Sequence, residues 1–213
     1  SDGAVGVGAR AQLTWMRAAG IERYGAEDGL PDAHIATFLE DPEGSLWVGT
    51  DGGGLVRLRA PRVRAYGPEH GLSGPLVTSI VQDAEGTIWA GSRLGPPVAL
   101  TSQDRFDQRL PAGLAPTAVA VLPASTGALW VGTASHGLIR WQNGRAERLD
   151  STTGLGANSV RALFEARDGV LWIALAGPVV HRISNGAIET LIPDGDLDAS
   201  TISAFAQTPD GRV

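Results

Sequence analysis

The sequence predicts an all-β fold built from repeats, and three observations support this prediction. Four tryptophans recur at intervals of 42, 41 and 42 residues: Trp47, Trp89, Trp130 and Trp172. Each of them lies near the end of a related short phrase that begins in a turn, at 41–50, 83–92, 125–133 and 167–174. Between these phrases lie short apolar segments separated by glycine and proline, with no helical stripe. A constant period of this length indicates a repeat architecture.

One repeat contains four predicted strands. In the clearest repeat they cover 35–40, 46–50, 55–58 and 63–66. The turn Asp41-Pro42-Glu43-Gly44 joins the first two strands, because proline presets φ and glycine tolerates unusual dihedral angles. Four short strands in every period, joined by tight turns, are typical of a β-propeller blade. We therefore expect a β-propeller of four-stranded blades, with five blade-equivalents in the chain.

The repeats divide the whole chain, which we expect to be a single propeller domain. Their predicted limits are near 1–34, 35–76, 77–118, 119–159 and 160–201, followed by 202–213 as a final first strand. The first repeat is incomplete and has Gly6 at the tryptophan position; its predicted strands lie near 6–9, 13–17 and 20–24. Two arrangements are open. Either 202–207 pairs with these strands and closes a five-bladed ring, or the chain is part of a larger propeller.

Composition excludes several classes of function. A net charge of −6 argues against a nucleic-acid-binding surface, which needs clustered positive charge. The absence of cysteine excludes disulfides, thiol catalysis and cysteine metal sites. No apolar run approaches the roughly 18–20 residues of a membrane span, so we expect no membrane contact by this segment. No glycine-rich phosphate loop precedes a helix, and we expect no cofactor.

The motif resembles the two-component regulator propeller repeat. The resemblance is clearest at Asp41–Thr50, Gly54–Arg57 and Gly29–Pro31, and it returns at 86–91, 127–138 and 154–160. It implies the periplasmic or other extracytoplasmic sensor region of a bacterial membrane-bound signalling protein. In that family the intracellular end is a histidine kinase, a hybrid kinase or a diguanylate cyclase. The resemblance further implies a non-enzymatic segment, an extracellular small molecule or glycan as ligand, and self-association of propellers.

The recurring residues are predicted to be structural. A ligand-binding aromatic residue is not expected to return at a scaffold position, so we assign the four tryptophans to packing between blades. Trp15 and Trp141 fall on third strands and are also expected to pack. Asp41 and Asp83 recur in the tight turn, which favours capping of the turn over acid–base or metal chemistry.

Candidate ligand contacts are sought among residues that vary between repeats. We expect the loops entering first strands and the loops joining second to third strands to open on the same face, around the central channel. His34, Arg93, His136 and Asn158 lie in these loops. Functional residues concentrate in variable loops on a rigid scaffold, so these four are the predicted ligand contacts.

One acidic loop is a weak candidate for a metal site. Asp194, Asp196 and Asp198 stand at alternate positions, and three carboxylates in a loop can converge on a hard cation such as Ca²⁺. The alternative is an ordinary solvated loop, because acidic residues in loops between strands are usually exposed.

Two other functions remain open. One is a propeller enzyme of the streptogramin-lyase type, which also contains short Asp-Gly-x-Leu-Trp phrases. Such an enzyme needs a histidine, an acid and a divalent cation at the mouth of the channel, and His34 with the loop 194–198 would have to supply the protein groups. The other is a protein-interaction or lectin-like propeller, because one propeller scaffold carries many functions.

Overall fold

The computed structural model describes residues 5–17, 20–59, 62–191 and 202–213. Their strands, in chain order, are β1 (Val5–Ala9), β2 (Gln12–Arg17), β3 (Gly20–Tyr24), β4 (His34–Glu40), β5 (Leu46–Asp51), β6 (Gly54–Arg59), β7 (Arg62–Tyr66), β8 (Val77–Gln82), β9 (Ile88–Ser92), β10 (Gly95–Leu100), β11 (Phe106–Asp107), β12 (Ala120–Pro123), β13 (Leu129–Gly132), β14 (Leu138–Gln142), β15 (Arg145–Leu149), β16 (Val160–Glu165), β17 (Leu171–Leu175), β18 (Val180–Ser184) and β19 (Ala187–Leu191). Short 3-10 turns at Ala26–Asp28 and Pro68–His70 precede two of the blades.

The strands form five antiparallel meanders, which we call blades I to V. Blade I contains β1–β3, and the four-stranded blades II, III, IV and V contain β4–β7, β8–β11, β12–β15 and β16–β19. Each strand pairs with its neighbour in sequence. The four strands predicted for the clearest repeat and the three predicted for the incomplete one are therefore confirmed.

The first turn of blade II is capped as predicted. Asp41 Oδ1 accepts a hydrogen bond from the backbone N–H of Ser45 at 2.8 Å. Asp41 Oδ2 accepts another from the indole N–H of Trp47 at 2.9 Å. Asp83 makes the same pair of bonds in blade III, at 2.7 Å to Thr87 N and 2.8 Å to Trp89 Nε1. One carboxylate therefore caps the turn and orients the tryptophan of its own blade.

Three of the four recurring tryptophans pack between blades. Trp47 of blade II is 1% exposed and belongs to one buried cluster with Val77, Ile80 and Val98 of blade III. Trp89 likewise packs with residues of blade IV, and Trp130 with residues of blade V. A buried indole contributes roughly 150–250 Å² of contact, so these side chains dominate the interfaces between blades.

Blade I supplies its indole from a different strand. Gly6 lies opposite Trp15 in the β1–β2 ladder, and Trp15 is 5% exposed. A Cβ at Gly6 would lie 2.4 Å from the Trp15 ring and 2.6 Å from the Phe38 ring. Trp15 packs edge-on against Phe38 of blade II at 5.4 Å between ring centres. The missing tryptophan of the second strand is therefore replaced by its cross-strand neighbour.

The segment 202–213 does not form the predicted strand. Within the described residues 202–207 are not in a strand, and β1 pairs with β2 only, so no pairing closes a ring here. Instead, the Phe205 ring lies 6.4 Å from the rings of both Phe164 and Trp172. Such side-chain contacts hold the segment against blade V. It is not a strand because its backbone has no adjacent strand with which to form ladder hydrogen bonds.

The segment nevertheless occupies a repeat position. The backbone N–H of Arg167 donates to Gln207 Oε1 at 3.0 Å, and the backbone N–H of Ser125 donates to Glu165 Oε2 at 2.7 Å. In each case the two residues are 40 positions apart. Gln207 therefore stands beside blade V as Glu165 stands beside blade IV.

Candidate functional site

Two kinds of loop meet on one side of the blades, which we call the loop face. At the junction of blades II and III, the backbone N–H groups of Gly52 and Gly54 both donate to Pro75 O at 3.1 Å. At the junction of blades IV and V, Gly137 N donates to Asn158 O at 2.8 Å. These bonds tie the loop after a second strand to the segment entering the next blade. The predicted meeting of the two loop types is confirmed. The opposite side, with the turns inside each hairpin, we call the turn face.

His136 and Asn158 are brought together at the junction of blades IV and V. They flank the backbone bond between Gly137 and Asn158, and both side chains are half-buried. The His136 Nδ1 atom lies 2.9 Å from Ser135 Oγ. Asn158 Oδ1 accepts a hydrogen bond from Ser151 N at 2.8 Å. Among the described residues, the Nε2 atom of His136 and the amide nitrogen of Asn158 have no hydrogen-bond partner, which leaves them available to a ligand.

Arg93 lines a cavity at the junction of blades II and III. The cavity measures about 380 Å³, and Asp51 and Arg93 are its charged lining residues. Both side chains are exposed. The repeat positions that correspond to Arg93 in blades IV and V hold Ala134 and Ala176. The acid and the guanidinium therefore belong to this junction and not to the scaffold.

His34 is connected to this cavity through Asp51, one of its lining residues. It is exposed at the start of β4, and its partner across the ladder is Asp51. Nearby, Arg10 Nε donates to Asp32 Oδ1 at 2.8 Å. The hydrogen bond from Arg10 and its positive charge lower the pKa of Asp32, and His34 adds to this effect. The structure thus brings His34 and Arg93 together through Asp51, and it places His136 and Asn158 at a separate junction.

Two charged residues of the loop face were missed by the sequence reasoning. Asp51 was not among the predicted ligand contacts. Arg161 is exposed on β16, at the repeat position held by Ala36 and Thr78, two residues that line the cavity beside Arg93. A comparison of equivalent positions would have found Arg161, because a long cation replaces small side chains there.

The weak metal candidates Asp194, Asp196 and Asp198 lie outside the described residues. Within the residues that the structure describes, no three histidine, cysteine or acidic side chains are grouped to hold a metal ion. The same part of the chain contains no helix with the length and apolar character needed to cross a membrane.

The sequence matches the family model of the two component regulator propeller in three segments, 29–52, 71–93 and 154–177. Each segment runs from the end of one blade into the first two strands of the next, so the matches follow the observed repeat. No curated protein matches the sequence.

Solved structures share the architecture. The extracellular domain of the hybrid two component system BT4673 from B. thetaiotaomicron is 20% identical with a TM-score of 0.74, over 93% of this chain and 30% of that one. The corresponding domain of BT3049 from the same organism is 17% identical with a TM-score of 0.63, over 99% and 36%. Virginiamycin B lyase from Staphylococcus aureus is 17% identical with a TM-score of 0.69, over 88% and 64%.

At these identities the likeness establishes the propeller fold, which agrees with the blades described above. The chain spans about a third of the length of the two extracellular domains and under two thirds of the lyase. Its blade period, its turn and tryptophan pattern and its three matched segments are those of one repeat type. Three of its repeats thus match the two-component regulator propeller model.

Proposed function

We propose that this chain is a ligand-sensing part of the extracytoplasmic propeller of a bacterial membrane-bound signalling receptor, and that it is not itself an enzyme. The observation that carries the proposal is the grouping of His34, Asp51 and Arg93 on the loop face, at positions that break the repeat. The repeat family and the likeness to extracellular domains of hybrid two component systems support the signalling context.

The chemistry of the cavity suits a polar extracellular ligand such as a small glycan. Asp51 accepts hydrogen bonds, Arg93 donates them, and sugar hydroxyl groups do both. A volume of about 380 Å³ lies within the range of small-molecule sites. The exposed Arg161 supplies a further cation at the corresponding place of blade V.

Signalling requires more than binding. A ligand shifts a receptor between two arrangements only if it binds them with different affinities. We propose that paired propellers provide the two arrangements, with the ligand favouring one of them.

The proposal can be tested by measuring thermal unfolding of this propeller in the presence of a panel of glycans and small extracellular metabolites. A ligand that binds only the folded state raises the melting temperature with its concentration. Asp51→Asn and Arg93→Gln should each weaken the response at least about tenfold, since each removes a charged hydrogen-bonding group. Arg167→Gln, on the turn face, is the matched control and should respond like the parent.

The same ligand added to the full-length receptor should change kinase or cyclase output in proportion to occupancy. The proposed binding site would be contradicted if no member of the panel raised the melting temperature. It would also be contradicted if the Asp51, Arg93 and Arg167 variants responded equally. Conversion of a panel member to product by the propeller would contradict the non-enzymatic assignment and favour a lyase.

A further inference from the structure

The junction between blades III and IV contains a second cavity, on the turn face. It measures about 300 Å³ and has mainly apolar walls. Trp89, only 4% exposed, forms part of its floor, and the half-buried Trp141 forms a wall. The two indoles meet edge to face, with ring centres 6.4 Å apart. The remaining apolar lining includes Pro123, Ala124, Ala128 and Leu129. This cavity is separate from the charged one on the loop face.

The preceding junction, between blades II and III, is filled by aromatic side chains. Between blades II and III, the Tyr66 ring stacks on Trp47 with centres 5.6 Å apart and planes inclined by 25°. Phe106 packs edge-on against Tyr66 at 5.6 Å, and the Tyr66 hydroxyl donates a hydrogen bond to Asp104 of blade III. The guanidinium of Arg57 also lies over the Trp47 ring, at 4.9 Å. Trp47 is therefore covered by an aromatic ring, and by a cation.

All three covering groups are missing at Trp89. The residue 42 positions after Tyr66 is Gln108, whose Nε2 donates to Leu110 O at 3.0 Å. The ladder position that Phe106 has opposite Leu100 is held in blade IV by the exposed Ala146, opposite Trp141. The ladder partner of Trp89 is Ala99, where Trp47 has Arg57. The cavity thus adjoins a tryptophan that lacks the tyrosine, the phenylalanine and the arginine found around Trp47.

Polar groups at the rim of the cavity indicate which charged and hydrogen-bonding groups a ligand should carry. Arg109 lines the cavity, is exposed, and makes no ion pair with the other described residues. Asn143 lies in the turn of blade IV and offers an amide donor and acceptor, as Asp104 offers an acceptor to Tyr66. Both oxygens of Asp83 are engaged by Thr87 N and Trp89 Nε1. The rim therefore presents one available cation and one amide.

We propose that this cavity binds a small aromatic carboxylate, with 4-hydroxyphenylacetate as a representative. The ring packs against Trp89 and Trp141, where the chain has no tyrosine of its own. The carboxylate pairs with Arg109, because a guanidinium matches a carboxylate with two parallel hydrogen bonds. The phenol hydroxyl reaches the turn at Asn143. The exposed Glu85 at the rim disfavours ligands with a second negative charge.

The first test titrates 4-hydroxyphenylacetate into this chain and follows tryptophan fluorescence and the indole N–H signals in NMR spectra. We expect saturable binding with a Kd on the order of 1 mM or below, given the small size of the ligand. The indole signals of Trp89 and Trp141 should shift, whereas that of Trp47 should not. Absence of saturable binding, or shifts confined to other tryptophans, would overturn the proposal.

Variants make the test specific. Gln108→Tyr returns the missing ring to the chain and should weaken binding at least tenfold while raising the melting temperature. Arg109→Gln should weaken 4-hydroxyphenylacetate about tenfold and leave the neutral analogue 4-ethylphenol unchanged. Arg93→Gln, on the loop face, should bind like the parent, so failure of this proposal is distinguishable from failure of the proposed sensing site.

If Gln108→Tyr does not fold, as judged by circular dichroism, Trp141→Leu takes its place. Leucine is the residue at the equivalent positions 58 and 100, so this variant keeps a packed third strand while removing one aromatic wall. Binding to either folded variant with parental affinity would overturn the proposal.

Discussion

Blades II and III differ from blades IV and V in how the tryptophan turn is built. In the first pair Asp41 and Asp83 receive the indole N–H, whereas Ala124 and Ala166 stand at these positions in the second pair. The backbone bond of the turn is nevertheless the same in all four, 2.9–3.0 Å from each glycine N–H to the carbonyl three residues earlier.

This comparison of turns with and without the aspartate distinguishes two roles of the repeated motif: forming the turn and positioning the tryptophan. The turn itself depends on glycine, since Gly44, with φ of 79°, and Gly127, with φ of 76°, share one left-handed conformation whatever residue precedes them. The aspartate instead links the turn to the tryptophan by accepting a hydrogen bond from the indole N–H, and we call this hydrogen bond the tie. Blade IV lacks this tie and has Arg140 over its Trp130 ring, at 5.8 Å.

The largest expected effect comes from removing a tied tryptophan. Trp47→Ala should lower the free energy of unfolding by about 3–5 kcal/mol, because it empties a buried position between two blades. Trp172→Ala should cost about 1–2 kcal/mol, since this indole is half-buried and contacts Phe205 of the segment 202–213. Urea unfolding of the two variants measures the contrast. Equal losses would show that the untied blades depend on their tryptophans as strongly as the tied ones.

A smaller effect is expected from removing the tie alone. Asp41→Ala should cost about 1–3 kcal/mol, because Ser45 N and the indole N–H of Trp47 lose their acceptor in a buried setting. The reciprocal variant Ala124→Asp should gain about 0.5–1.5 kcal/mol by giving Trp130 the missing acceptor. Both are measured by urea unfolding. A neutral Asp41→Ala would mean that the glycine turn alone positions the tryptophan.

The smallest effect concerns blade V and depends on pH. His181 is 1% exposed at a third-strand position that holds Val56 and Ile139 in other blades. Its Nε2 accepts a hydrogen bond from Gly156 N at 3.2 Å, and its Nδ1 lies 3.1 Å from Thr190 Oγ1. Burial lowers the pKa of His181 below its ordinary value of 6.5.

The unfolded chain therefore takes up a proton at a higher pH than the folded chain does. Stability should fall as the pH drops through about 6.5, and this loss should end once the folded pKa is passed. His181→Val should remove this part of the pH dependence, as measured by melting temperatures between pH 8 and pH 5. An unchanged pH profile in the variant would assign the dependence to other groups.

The sequence was sufficient for the blades because the repeat presents each position several times. The spacing of the tryptophans, the turn at Asp41 and the strand limits of blade II were all predictable, since local turn chemistry and strand alternation set them. The loop face could also be predicted, because antiparallel meanders place equivalent loops on the same side. The sequence did not show that Trp15 replaces the indole missing at Gly6, because that substitution crosses the ladder.

The partners of the candidate site required the tertiary structure. The sequence showed that the residue at the position of Arg93 varies between repeats. Its proximity to Asp51 and His34, however, depends on the register of β4 with β5 and on the contact between blades II and III.

By itself the sequence determined the repeat, the blade architecture and the scaffold role of the tryptophans, since these follow from periodicity and local chemistry. Only the tertiary structure decided where 202–213 packs and how the surroundings of Trp47 differ from those of Trp89. Both depend on contacts between residues about 40 positions apart, and a single repeat contains no information about its neighbour's missing side chains.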